Sequence, residues 1–210
     1  MNMRITMLGL AILAAAAVQS VPALAQVRPG TQDVQIYAGE LSGDRLTNTR
    51  LSGRFPMLND NPTFGGRYTY DFARQWGVQL SAGYSPGRAA DIAGGDSNLG
   101  LTTTDLDVLW YVTPGLELGG HTLLPYTQLG VGYAWAHLNH SLSGVVGTTP
   151  VALRGSNGYT ANIGFGARYY MTHSLFMDFD ARYRYLSRLV NRHGQGLNTA
   201  ETTLSLGYQF

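Results

Sequence analysis

From residue 34 onward the chain keeps switching between apolar and polar residues with a period of two. That is the spacing of a strand whose two faces meet different surroundings. Eight segments carry the pattern, with the apolar face on every second residue of 34–38, 64–72, 76–84, 102–112, 123–135, 159–171, 175–185 and 200–210; none of those 45 positions is charged. The opposite face carries Asp33, Arg67, Asp71, Asp105, Asp107, Arg168, Asp178, Asp180, Arg182, Arg184 and Glu201, with Gly, Thr, Ser, Gln and Asn filling much of the remainder. The pattern predicts an all-β chain of eight strands.

A soluble barrel or sandwich turns its apolar face inward, whereas a transmembrane barrel turns it outward and keeps a polar interior. Aromatic positions decide between them. Phe72, Trp76, Trp110, Tyr169 and Tyr208 fall at one end of their segments, and Phe64, Tyr84, Tyr133, Trp135, Tyr159 and Tyr185 at the other. Two aromatic belts bordering an apolar band are the interfacial signature of an outer-membrane barrel. The apolar face is therefore expected to meet lipid and the eleven charges to meet one another.

The connections point the same way. Between segments they run 39–63, 73–75, 85–101, 113–122, 136–158, 172–174 and 186–199, long and short in turn. Four long extracellular loops and three short periplasmic turns alternate in this manner, which would place both termini in the periplasm. Eight is an even number, as a single-chain bacterial barrel requires. Hydrocarbon offers no water to an open sheet edge, so the last strand is expected to close on the first. The expectation is an eight-stranded antiparallel up-and-down transmembrane β-barrel.

Composition narrows the picture further. Charged residues make up 13% of the 210, about half the usual ~25% of a soluble domain. Cysteine is absent and all 14 basic residues are arginine, which excludes disulfide scaffolds, cysteine-ligated metal sites and lipoprotein anchors. A net charge of +1 gives no reason to expect a nucleic-acid partner. At the start, Arg4 precedes an apolar run from Met7 to Val18, then Val21-Pro22 and the small-residue site Ala23-Leu24-Ala25. This is the layout of a cleaved secretory signal peptide, and 12 apolar residues are too few for the ~20 of a membrane-spanning helix. Residues 1–25 are read as that signal and residues 26–210 as a single barrel domain.

Three segments resemble a known family. Leu124-Pro125-Tyr126-Thr127-Gln128-Leu129-Gly130-Val131-Gly132-Tyr133 is similar to the glycine-rich fifth strand of small outer-membrane β-barrel proteins of the OmpA/OmpX type. Phe179-Asp180-Ala181-Arg182-Tyr183-Arg184-Tyr185 is similar to their Tyr-Arg-Tyr strand. Tyr208-Gln209-Phe210 resembles the aromatic end that the barrel assembly machinery recognises. The resemblance implies an integral outer-membrane protein of a Gram-negative envelope. No peptidoglycan-binding domain is expected after the barrel, so a cell-wall tether is not implied.

An eight-stranded barrel is only wide enough to be filled by its own side chains, and an unpaired buried charge costs several kcal/mol. Partners should therefore exist. Around the turn 172–174, Tyr170 faces Phe176, so Arg168 should oppose Asp178. Arg184 is expected near Glu201, and Asp105 and Asp107 within reach of Arg182 across the lumen. The inward glycines Gly130, Gly132, Gly164 and Gly166 are expected to give Arg67 and Tyr37 room. The same charges, four arginines against seven acids, would favour cations if a continuous water path ran through the lumen.

The loops hold Arg45, Arg50, Arg54, Arg88, Arg154, Arg188 and Arg192. Arginine forks suit phosphate, so Arg88, Arg154, Arg188 and Arg192 are candidate contacts to lipopolysaccharide, against a background of plain solvation. His137-Leu138-Asn139-His140-Ser141 hints at a metal site or at the hydrolases that modify lipid A. A triad needs an orienting acid, and no Asp or Glu lies between Glu117 and Asp178. Gly94, Gly95 and Asp96 offer too few acidic ligands for calcium. No catalytic residue, metal or cofactor is expected. The leading reading is a structural or surface-interaction protein whose loops contact lipopolysaccharide, a host or a neighbouring cell. A narrow channel for small solutes and a lipid A-modifying enzyme stand behind it.

Overall fold

The computed structural model describes residues 28–43, 58, 60–89, 97–138, 142–146, 149–153, 155–187 and 196–210. Their strands are β1 (Thr31–Ser42), β2 (Asn61–Ala73), β3 (Trp76–Ala89), β4 (Ser97–Tyr111), β5 (Leu116–Leu118), β6 (His121–Leu138), β7 (Leu142–Val146), β8 (Thr149–Leu153), β9 (Asn157–Tyr170), β10 (Leu175–Leu186) and β11 (Leu197–Gln209). Nine of them, all but β7 and β8, form one antiparallel sheet, and eight of these close into a ring in which each pairs with the next, β4 reaches past β5 to β6, and β1 pairs with β11. The sheet is a closed up-and-down barrel.

Closure is where the period-two pattern acts. Ile36 stands opposite Leu206 at the β1–β11 seam and Leu106 opposite Val131 at the β4–β6 seam. Outward residues therefore meet outward residues at both seams. A one-residue slip at either would turn a whole strand's apolar set toward the ions. Ile36, Leu129 and Val131 stand between 64% and 70% exposed on the outer wall. This exposure marks a surface built for hydrocarbon, because large contiguous apolar patches are rare on soluble monomers.

Both aromatic belts form across strands. At the turn end, Trp76 faces Trp110 with ring centroids 6.4 Å apart. At the loop end, Phe64 meets Tyr84 at 5.6 Å and Tyr133 meets Tyr159 at 5.6 Å. Such pairs contribute roughly 0.5–1.5 kcal/mol beyond their buried area.

Most strands extend beyond the alternating segments, so the long connections are shorter than the pattern suggested. The 113–122 connection also has structure of its own. β5 folds back on the start of β6 with Leu118 opposite His121, through Gly119 at φ 60° and Gly120 at φ 84°. Two consecutive positive φ angles make the tight primed hairpin turn that glycine adopts without strain. In the third long connection, β7 and β8 pair as a separate two-stranded hairpin. Residues 1–25 lie outside the described residues. No helix among the described residues is long and apolar enough to cross a membrane, a statement that does not bear on strands.

Replacing Leu129 by arginine tests which way the wall faces. A guanidinium near the bilayer midplane is expected to cost about 2–4 kcal/mol, read as a lowered denaturant midpoint for the barrel refolded in lipid vesicles. An unchanged midpoint would show that the wall meets water or protein.

Candidate functional site: the ionic lumen

Inward positions arise from the same alternation as the outer wall, one residue out of phase. They build a lumen in three layers. At the turn end, Leu109, Tyr111, Leu124, Tyr126, Tyr170 and Phe176 form a buried aromatic and aliphatic cluster. At the loop end, Leu41, Leu99, Leu101, Leu186 and Leu197 are buried on the inward parity of their strands. Between them lie the ions, every one of the eleven no more than 3% exposed.

Arg168 holds the layer next to the aromatic cluster. Its Nη1 donates to Asp33 Oδ2 at 2.8 Å, Nε to Asp178 Oδ2 at 3.3 Å and Nη2 to Thr69 Oγ1 at 3.2 Å. Its guanidinium carbon also sits 5.1 Å from the ring centre of Phe176, 5.5 Å from Tyr111 and 5.7 Å from Tyr126. Rings within about 6 Å attract a cation through their quadrupole, so this layer is held by ion pairs on one side and π faces on the other. Tyr111 donates its hydroxyl to Asp71 Oδ1 at 2.7 Å, and Tyr126 donates to Asp178 Oδ1 at 2.8 Å. The aromatic cluster is therefore hydrogen-bonded to the ionic layer above it.

Asp180 lies at the centre. Its Oδ1 accepts from Arg182 Nε at 2.6 Å and pairs with Arg67 Nη2 at 3.2 Å, while Gln128 Nε2 donates to Oδ2 at 2.6 Å. Arg182 continues across the lumen to Asp107 Oδ2 at 3.2 Å. Arg184, one step nearer the loop end, donates to Glu201 Oε2 at 2.7 Å and to Asp105 Oδ2 at 2.6 Å. Arg67 also stacks over Tyr37, 4.4 Å from its ring centre.

Asp178 faces Arg168 and Phe176 faces Tyr170 across the β9–β10 hairpin. Across the last connection, the residue directly opposite Glu201 is Arg182 and not Arg184, yet it is Arg184 that binds Glu201. Asp105 goes to Arg184 instead of Arg182. The physical reason is reach: Arg182 is already committed to Asp180, its neighbour on the same face, and to Asp107.

The glycines also serve different groups from those expected. A Cβ at Gly130 would collide with Asp107, at Gly132 with Asp105, at Gly164 with Gln128 and at Gly166 with Tyr126. These are close lateral neighbours, not Arg67 or Tyr37 from the far wall; Tyr37 packs its hydroxyl against Gly65 and Gly83 instead. Asp33, bound to Arg168, and Asp71, held by Tyr111, complete the network. Their inward parity was visible in the sequence, but their partners on β9 and β4 were not.

Outside the lumen, Tyr208 and Phe210 lie exposed on the outer wall, and the Phe210 amide donates to Gln32 O at 2.9 Å, extending the seam. His137 is exposed near the loop end of β6. Asn139, His140 and Ser141 lie outside the described residues, as do Arg45, Arg50, Arg54, Arg154, Arg188 and Arg192, and Gly94 to Asp96. The Arg88 backbone pairs with Asn98 near the loop end of β3, and its side chain is outside the description.

A family model described as "Outer membrane protein beta-barrel domain" matches residues 11–210. The structure is similar to that of the outer membrane protein OprG from Pseudomonas aeruginosa, with 16% identity, a TM-score of 0.55, and 87% of this chain and 97% of that one covered. It is also similar to neisserial surface protein A, with 14% identity, a TM-score of 0.52, and 86% and 99% covered. No curated protein sequence matches.

Substituting Arg168 by glutamine is expected to cost about 3–5 kcal/mol, because Asp33 and Asp178 would keep their charges without a buried partner. Adding Asp178→Asn should recover part of the loss, giving a coupling of about 0.5–3 kcal/mol in a double-mutant cycle. Strict additivity of the two changes would show that the pair is not coupled.

Proposed function

Because this chain belongs to the outer membrane protein beta-barrel domain family, we propose that it serves the outer membrane as a closed, non-conducting barrel whose long loops carry a structural or surface-interaction role. One observation carries the reading: the lumen is filled along its length. Arg67, Arg168, Arg182 and Arg184 span it with bonds to acids on other strands, and buried apolar side chains close it on both sides of the ions. Wide aqueous channels belong to barrels of roughly twice as many strands. In this reading recognition falls to the loops, which a rigid scaffold presents at one end.

The start of β1, the end of β11 and the three short turns share the other end, which supports a periplasmic placement for them and an extracellular one for the loops. Arg88, Arg154, Arg188 and Arg192 are proposed to meet lipopolysaccharide phosphates there, since guanidinium forks match phosphate oxygens. Tyr208 and Phe210, exposed at the closing strand, are proposed as the assembly signal. Residues 1–25 are proposed to direct export and then to be removed. Partners in this reading are outer-membrane lipid, lipopolysaccharide, the assembly machinery and a host or cell-surface ligand.

In planar bilayers the purified barrel is expected to show no stable unitary conductance. Discrete current steps abolished by Asp105→Asn or Arg182→Gln would replace this reading with that of a narrow channel. Deleting Phe210 should reduce the amount of heat-modifiable barrel in the outer membrane severalfold, and normal assembly would remove that residue from the proposed signal.

A further inference from the structure

Seven carboxyl side chains (Asp33, Asp71, Asp105, Asp107, Asp178, Asp180 and Glu201) share the lumen with four guanidinium groups (Arg67, Arg168, Arg182 and Arg184), a surplus of three acids, all of them buried. Six of the seven bond an arginine. The bonds described for Asp71 go to hydroxyl groups instead, with Tyr111 Oη 2.7 Å from Oδ1 and Thr31 Oγ1 3.1 Å from Oδ2. The charged and titratable groups that face Asp71 are Asp33 on β1, Tyr111 on β4, and Arg168 and Tyr170 on β9. Arg168 directs its three nitrogens to Asp33, Asp178 and Thr69. On β3, the residue opposite Asp71 is Gly77, which has no side chain to offer. Asp33 lies diagonally across from Asp71 on the same face, so the nearest acid is a like charge. A carboxylate 1% exposed with no cation bonded to it is costly, and such a group takes up a proton and becomes neutral.

The hydrogen count at Thr31 leads to the same place by a separate route. Thr31 Oγ1 lies 2.9 Å from Arg28 O and 3.1 Å from Asp71 Oδ2. A hydroxyl donates one hydrogen, whereas a carbonyl oxygen has none to give. The hydrogen on the shorter contact therefore belongs to Thr31. The contact with Oδ2 is then a hydrogen bond only if Asp71 supplies the hydrogen, which a neutral carboxyl group does. The bonds form one directed chain: Tyr111 donates to Asp71 Oδ1, Asp71 Oδ2 donates to Thr31, and Thr31 donates to Arg28 O. Arg28 is exposed and Thr31 half-buried, so this chain leads from the buried carboxyl to the turn-end rim.

We propose that Asp71 is a proton-binding site of the folded barrel, which holds the proton on Oδ2 and donates it to Thr31. The proton exchanges with the medium at the turn end through Thr31. Its loss leaves a second charge beside Asp33 and draws the Thr31 hydroxyl hydrogen from Arg28 O to Asp71, which loosens the turn that opens β1. The site thus couples the acidity of the medium at that end to the seating of the first strand. The inference is independent of what the loops recognise.

Infrared spectra of the full barrel in lipid vesicles at neutral pH test this. A neutral carboxyl group has a carbonyl stretch that a carboxylate lacks, and the wild type is expected to show it. Asp71→Asn keeps the shape of the side chain and an acceptor for Tyr111, and should lower that band by one carboxyl equivalent. Thr31→Val removes the acceptor of the proton and should move the Asp71 part of the band to higher frequency. Unfolding gives the second reading. Above about pH 4 an unfolded aspartate is ionised, so folding takes up a proton at Asp71. The folding constant of the wild type should therefore fall with rising pH by up to about tenfold per unit more than that of Asp71→Asn. A wild type without the neutral-carboxyl band overturns the proposal. So does an undiminished band in Asp71→Asn, or the same pH dependence of folding in both proteins. Should Asp71→Asn not fold, Thr31→Val decides the matter, and an unshifted band there overturns the proposal.

Discussion

A sheet immersed in hydrocarbon cannot leave a row of backbone N–H and C=O groups unpaired, because each such group costs several kcal/mol where no water can reach it. The pairing of β1 with β11 and of β4 with β6 meets that requirement around the whole circumference. Everything else follows from closure. Once the sheet is a tube, alternate residues are committed to two separate media, and the apolar set must take the outside. The polar set is then confined to a space too narrow for bulk water.

That confinement explains the chemistry of the interior. Arginine is the only basic residue type in the chain, and its flat fork can hold two or three partners at once. Arg168, Arg182 and Arg184 each bind two acids on different strands, so each works as a cross-brace over the tube. Buried ion pairs add little net stability relative to well-packed apolar groups. Their value here is specificity, since a slipped register would separate charges that have no other partner. The apolar layers at either end keep this network dry and so strengthen it.

Similarity to OprG and to neisserial surface protein A at 16% and 14% identity extends over nearly the full length of those chains. At such identity the fold alone is shared. The barrel wall answers to lipid and to closure, which many sequences satisfy, whereas the loops answer to whatever they meet. The division between a generic wall and particular loops therefore has a physical origin.

Period-two alternation and aromatic belts determine the barrel and the outward side of its apolar residues from the sequence alone, because each residue's side depends only on its own parity. The partner of Arg168 on β10 was equally legible, since a three-residue turn sets the register locally. Contacts across the lumen were not. Asp33 binds Arg168 and Asp105 binds Arg184 through spacings of 135 and 79 residues, and those meetings depend on strand tilt and on closure around the whole tube. The leucine layer near the loop end shares the parity of the ions and was concealed by them, because parity assigns a face and not a depth. Which inward residues lie at the same height is decided only when all eight strands have closed.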